Sequence, residues 1–83
     1  MVVQLRTVPD CPNLTVVREL LAACLTGEGL PPEFVELVGD YPSPSVLVDG
    51  VDVTGADPDG PAVCVLELPT AGQIRAALRR AIR

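Results

Sequence analysis

The spacing of apolar and polar residues changes several times along the chain, and each change marks an element. Val2-Val3-Gln4-Leu5-Arg6-Thr7-Val8 is rich in β-branched residues and partly alternating, which predicts a first strand ended by turn chemistry at Pro9-Asp10. From Asn13 to Thr26 the period becomes helical: Leu14, Val17, Leu20, Leu21, Cys24 and Leu25 share one face, with Thr15, Arg18, Glu19 and Ala22 opposite. Gly27 follows as a C-terminal cap. After the connector Gly29-Leu30-Pro31-Pro32, the stretch Glu33 to Gly39 alternates again and predicts a second strand. A strand, a helix and a strand at this spacing predict a right-handed βαβ unit with parallel strands.

The second half has a different grammar. Asp49-Gly50 stands between the apolar runs Val46-Leu47-Val48 and Val51-Asp52-Val53, a short-range hairpin signal, so this half is expected to be antiparallel. Thr54 to Pro61 is acidic and rich in Gly and Pro and reads as a surface loop, followed by the short apolar run Ala62 to Leu68. Thr70 with Gln73 three residues later forms a capping box. Behind it, Ile74, Ala77, Leu78 and Ala81 supply the buried stripe of a final helix. Arg75, Arg79, Arg80 and Arg83 crowd its C-terminal end, where a solvated face and the helix dipole both suit them. With 83 residues and no internal repeat, residues 1–83 are read as a single domain.

Composition narrows the chemistry. Aromatic residues are only 2% of the chain, so the core has to be aliphatic. The net charge of -5 and the scarcity of rings remove both the positive field and the stacking surfaces that nucleic-acid binding needs. There is no histidine, which excludes Ser/His/Asp and Cys/His catalysis and imidazole metal ligands. The strand pattern directly after Met1 has no basic leader, and no apolar run approaches the ~20 residues of a membrane span. The expectation is a cytoplasmic protein without membrane contact, in a compartment that keeps thiols reduced unless they are working.

Three cysteines are then the only strong nucleophiles and soft ligands. Cys11, followed by Pro12 at the expected start of the first helix, is the leading candidate for chemistry. Unsatisfied N–H groups and the helix dipole favour a thiolate there, and a proline fits the first helical position because it has no N–H to leave unpaired. Asp10 beside it works against the thiolate by its charge, while attracting cations. The competing reading makes Cys11 a small half-buried hydrophobe in a turn. Cys24 lies on the apolar stripe about 20 Å along the helix from Cys11 and reads as core filler.

Taken together, Val8-Pro9-Asp10-Cys11-Pro12-Asn13, Ser43-Pro44-Ser45-Val46-Leu47-Val48-Asp49-Gly50, Cys64 after a Gly/Pro loop, and Ile74-Arg75-Ala76-Ala77-Leu78-Arg79 resemble small thioredoxin-like proteins often grouped with alkylmercury lyase and mercury resistance. The resemblance covers nearly the whole chain and implies an α/β fold with a mixed sheet: β-α-β, then a β-hairpin and a C-terminal helix. It places Cys11 at the family's helix-start thiol and Pro44 at its usually cis proline, whose neighbourhood, with Ser43, Ser45 and Pro12, receives a thiol substrate. Tyr41, on the loop before Pro44, reads equally as a contact for that substrate and as a half-buried packing residue. The family's Cys-x-x-Cys is absent, because Leu14 stands where the second cysteine would be, and position 45 is Ser where Thr is more usual.

A thioredoxin-like hairpin brings the loop after Val53 back toward the proline end of the sheet. On that topology Cys64 becomes the candidate second sulfur. Cys11 and Cys64 would form a reversible disulfide, or a two-thiolate site for a soft metal such as mercury, with no other cofactor. Cys64 also reads as a packed residue of its apolar run. The function expected is thus thiol-disulfide exchange with a small-molecule or protein thiol or disulfide, or soft-metal capture. The alternative is a non-catalytic module of the same fold that docks a partner protein.

Overall fold

The computed structural model describes residues 1–41, 43–55 and 68–82. Its elements, in chain order, are β1 (Val3–Thr7), α1 (Leu14–Gly27), β2 (Val35–Val38), β3 (Ser45–Val48), β4 (Val51–Asp52) and α2 (Ala71–Ile82). The strands form one four-stranded sheet in the order β2-β1-β3-β4. β1 runs parallel to β2 and antiparallel to β3, and β3 runs antiparallel to β4. The fold class is therefore α/β with a mixed sheet, parallel in its first half and antiparallel in its second. The expected surface loop from Thr54 and the apolar run Ala62 to Leu68 fall largely outside the described residues, and Cys64 does so entirely.

Alternation decides which face each strand residue covers. In β1, Val3, Leu5 and Thr7 are buried while Gln4 and Arg6 between them are half-buried. Register pairs Val3 with Val48 and Leu5 with Val46, so one apolar face runs across both strands. Both helices contribute to the core on that face: Val17, Leu21, Cys24 and Leu25 from α1 join Ile74, Ala77 and Leu78 from α2. Each such aliphatic side chain, once fully buried, contributes about 1.5–3 kcal/mol, which is how a chain with two rings builds a core.

β2 is an edge strand, and both its ends carry valines exposed to solvent, Val35 at 51% and Val38 at 63%. The alternation over Glu33 to Gly39 finds the strand but overstates it, since only Val35–Val38 pair with β1. Phe34, just before the strand, packs against the core instead.

Turn and cap chemistry agree with the sequence at the β3–β4 turn and at the start of α2, but not at the end of α1: Gly27 is the last helical residue, Glu28 is the C-cap, and the left-handed conformation falls on Gly29 (φ 74). Asp49 (φ 51) and Gly50 (φ 83) both take positive φ, the conformation that a two-residue type I′ hairpin requires. Thr70 and Gln73 close a reciprocal capping box: the Thr70 N–H donates to Gln73 Oε1 at 2.9 Å and the Gln73 N–H to Thr70 Oγ1 at 3.1 Å. The arginines of α2 do more than face water. Arg75 and Arg79 both donate to Glu28 Oε1, at 3.1 and 2.8 Å, and so fasten the end of α1 to α2. At the other end of α1, Arg18 pairs with Glu36 of β2.

Candidate functional site around Cys11

The C-terminal end of β1 is where most of the sequence-selected residues meet. Thr7, the last residue of β1, is only 1% exposed and bonds in three directions. Its carbonyl accepts the Gly39 N–H at 2.9 Å, tying the segment after β2 to the end of β1. Its hydroxyl donates to the Val8 carbonyl at 2.9 Å. A hydroxyl has one hydrogen, so the 2.9 Å contact between Thr7 Oγ1 and Ser43 Oγ is made by the Ser43 O–H donating. Ser43 is fully buried. It precedes Pro44 through a cis peptide bond, the isomer that the resemblance implies.

From Val8 the chain reaches Cys11 through an exposed, left-handed Asp10 (φ 59). That conformation fits the turn expected at Pro9-Asp10. Regular α1 begins at Leu14, so Pro12 lies in the turn ahead of the helix rather than inside it. The Leu14 N–H closes that turn on the Cys11 carbonyl at 3.2 Å. Asn13, the N-cap residue, makes no side-chain capping bond. Cys11 thus sits one tight turn ahead of an end of α1 that no Asn13 cap closes.

Cys11 is 8% exposed and is disulfide-bonded, so the sulfur singled out for its thiolate stands here in the oxidised form. Cys24 is a free thiol. It belongs to the core, with Sγ 3.9 Å from the Ala71 carbonyl, and burial pushes its pKa up, against a smaller opposing effect of Arg75. The two cysteines of the α1 region therefore differ in kind, as the apolar stripe implies. Cys64, the other sulfur singled out in the sequence, lies outside the described residues.

Of the other site candidates, Pro44 and Ser45 are buried at the start of β3, and Ser45 pairs in register with Arg6. Tyr41 is half-buried, with the Arg6 guanidinium carbon 5.0 Å from its ring centroid. Arg6 alternates with Thr7 along β1, so this stack belongs to the face opposite the hydroxyl pair. A Cβ at Gly39 would come within 3.2 Å of the Tyr41 ring, which fixes the ring over the glycine. Among the described residues no group of three or more Cys, Asp or Glu is placed to hold a metal ion.

Thr7 is the site residue that sequence reasoning passes over. A β-branched residue in a strand looks like ordinary packing. The available signal was parity: Thr7 follows Val3 and Leu5 on the inward face, so its hydroxyl had to find a buried partner.

A separate cleft of about 220 Å³ lies between the β3–β4 hairpin and α2, with Val48, Val51, Val53 and Ala77 in its wall. None of the sequence-selected site residues lines it. No described helix is long and apolar enough to cross a membrane. Compared with known proteins, the chain matches no family model, no curated protein and no solved structure.

Proposed function

We propose that this chain is a small thioredoxin-like thiol protein that acts through Cys11 in thiol-disulfide exchange, with Cys64 as the partner sulfur. The observation that carries the reading is the disulfide at Cys11, placed where the segments leaving β1 and β2 and the residue before Pro44 are tied together through Thr7. Cys64 as the partner is the pairing expected from the thioredoxin-like topology, and it lies outside the described residues. The strand order β2-β1-β3-β4, with one parallel and two antiparallel pairings, supports the thioredoxin-like arrangement.

In the reaction proposed, an external thiolate attacks one sulfur of the disulfide and joins it as a mixed disulfide, while the other sulfur leaves as a thiolate. A second external thiolate then attacks the external sulfur of that mixed disulfide. The external disulfide departs and both protein sulfurs are left as thiols, so two electrons have passed to the protein. In a cytoplasmic setting the disulfide is the oxidised half of this cycle. The reduced form offers two thiolates to a soft cation such as mercury, the ligands such an ion prefers.

The test is intact-mass analysis before and after a mild thiol reductant on the folded protein, with peptide mapping, followed by one equivalent of mercuric ion. Gain of two hydrogens mapped to Cys11 and Cys64, then either exchange with added disulfide or one bound mercury, supports the reading. A disulfide that no reductant reaches until denaturant is added makes it a structural staple and overturns it. The surviving alternative would then be a docking module of the same fold, for which the exposed Val35 and Val38 on the edge strand are the first surface to examine.

A further inference from the structure

We infer that Thr7 is the positioning residue of the Cys11 site: its buried hydroxyl holds the segment leading to Cys11 at a fixed distance from the segment leading to Pro44. The inference rests on the thiol reading above and deepens it. Two stretches that carry site residues lie here, residues 8–13 with Cys11, and residues 39–41 with Ser43 and Pro44 beyond them. Both are fastened to the same side chain or its carbonyl. Ser43 donates to Thr7, Thr7 donates to the carbonyl of Val8, and Gly39 donates to the carbonyl of Thr7.

The hydroxyl chain is buried throughout, with Thr7 at 1% and Ser43 at 0% exposure, and each hydroxyl is committed to one acceptor. Among the described residues no buried side-chain nitrogen or oxygen lacks a partner. A staple that served only folding could be replaced by apolar contact of the same shape. A positioning role predicts something more specific. Exchange needs the attacking sulfur and the incoming disulfide in line, and displacement of about 1 Å can cost orders of magnitude in rate.

The experiment compares reduced wild type with Thr7→Val, Thr7→Ser and the double variant Thr7→Val/Ser43→Ala. Two quantities are read: the thermal midpoint, and the rate at which Cys11 forms a mixed disulfide with the neutral reagent hydroxyethyl disulfide. In that step the Cys11 thiolate attacks one sulfur of the reagent and mercaptoethanol thiolate leaves. Thr7→Val keeps the shape but strands the Ser43 hydroxyl, so both stability and rate should fall, the rate by about tenfold or more. The double variant removes the stranded donor and should recover stability. Its rate should stay low, because the hydroxyl tie to the Val8 carbonyl is gone. Thr7→Ser should restore the rate.

A rate that recovers together with stability in the double variant, or that never falls, overturns the positioning role while leaving the thiol reading intact. Should Thr7→Val alone not fold, the double variant against Thr7→Ser makes the same distinction. Folded, reduced wild type that forms no adduct at Cys11 overturns the thiol reading and this inference with it.

Discussion

At its first turn α1 offers backbone N–H groups that Asn13 does not cap, with the disulfide-bonded Cys11 one turn ahead. At its last turn Cys24 and Leu25 are buried against α2, the backbone N–H of Glu28 reaches back to the carbonyls of Cys24 and Leu25, and the Glu28 carboxylate is gripped by Arg75 and Arg79. Cys24 in the last turn of α1 and Cys11 ahead of its first residue therefore stand in opposite circumstances, a free thiol and a disulfide. The closed end spends its polar groups on one another. The open end has no Asn13 side-chain cap and stands beside a sulfur that is buried too, but disulfide-bonded. The difference lies in their surroundings: a bonded sulfur beside the turn into α1, and a free thiol packed in the core.

Several substitutions break or sharpen this contrast. The largest expected effect is at the open end: Cys11→Ser should abolish exchange and mercury uptake in the mass assay while circular dichroism still reports a folded chain. At the closed end Leu25→Ala, which empties a site 1% exposed, should cost about 3 kcal/mol in denaturant unfolding without changing which sulfurs react.

Cys24→Ala should cost about 1 kcal/mol or less and leave Cys11 chemistry untouched. Because burial raises the Cys24 pKa, its protonated form stabilises the fold below the ordinary thiol range, and that stabilisation is lost as the pH rises through and beyond it. Cys24→Ala should therefore unfold with a flatter alkaline profile than wild type.

The smallest effect concerns Glu28, whose pKa is lowered by its hydrogen bond to Arg75, with Arg79 assisting. A depressed carboxylate stabilises above its ordinary range and loses that contribution as the pH falls through the lowered value. The unfolding midpoints of wild type and Glu28→Gln should thus differ near neutrality and converge in acid. High salt should narrow the neutral gap, since these arginines are largely exposed.

Local signals were legible wherever one chemistry dominates a few residues. Asp49-Gly50 could turn the chain only one economical way, and Thr70 with Gln73 satisfied each other without help from the rest of the fold. The stripes of α1 and α2 were readable because a helix face repeats. The start of α1 was legible to one residue from the period beginning at Asn13, but Pro12 misled, because it suits a first helical position in isolation and here lies in the turn ahead of the helix. The edge position of β2 was hidden for a similar reason: alternation reports a strand, and only the whole topology reports how many neighbours it has. Least legible was the Thr7–Ser43 pair, which joins residues 36 positions apart and depends on the register of β1 against β3.

The stack of Arg6 on Tyr41 has a practical side. Tyr41 is the single tyrosine of a chain without tryptophan, and it stands two positions before Ser43. Its ultraviolet emission is therefore an intrinsic optical probe of the segment that leads into Pro44, with no stronger fluorophore to mask it. Adducts formed at that end of the sheet can be followed in real time by light, with no label attached.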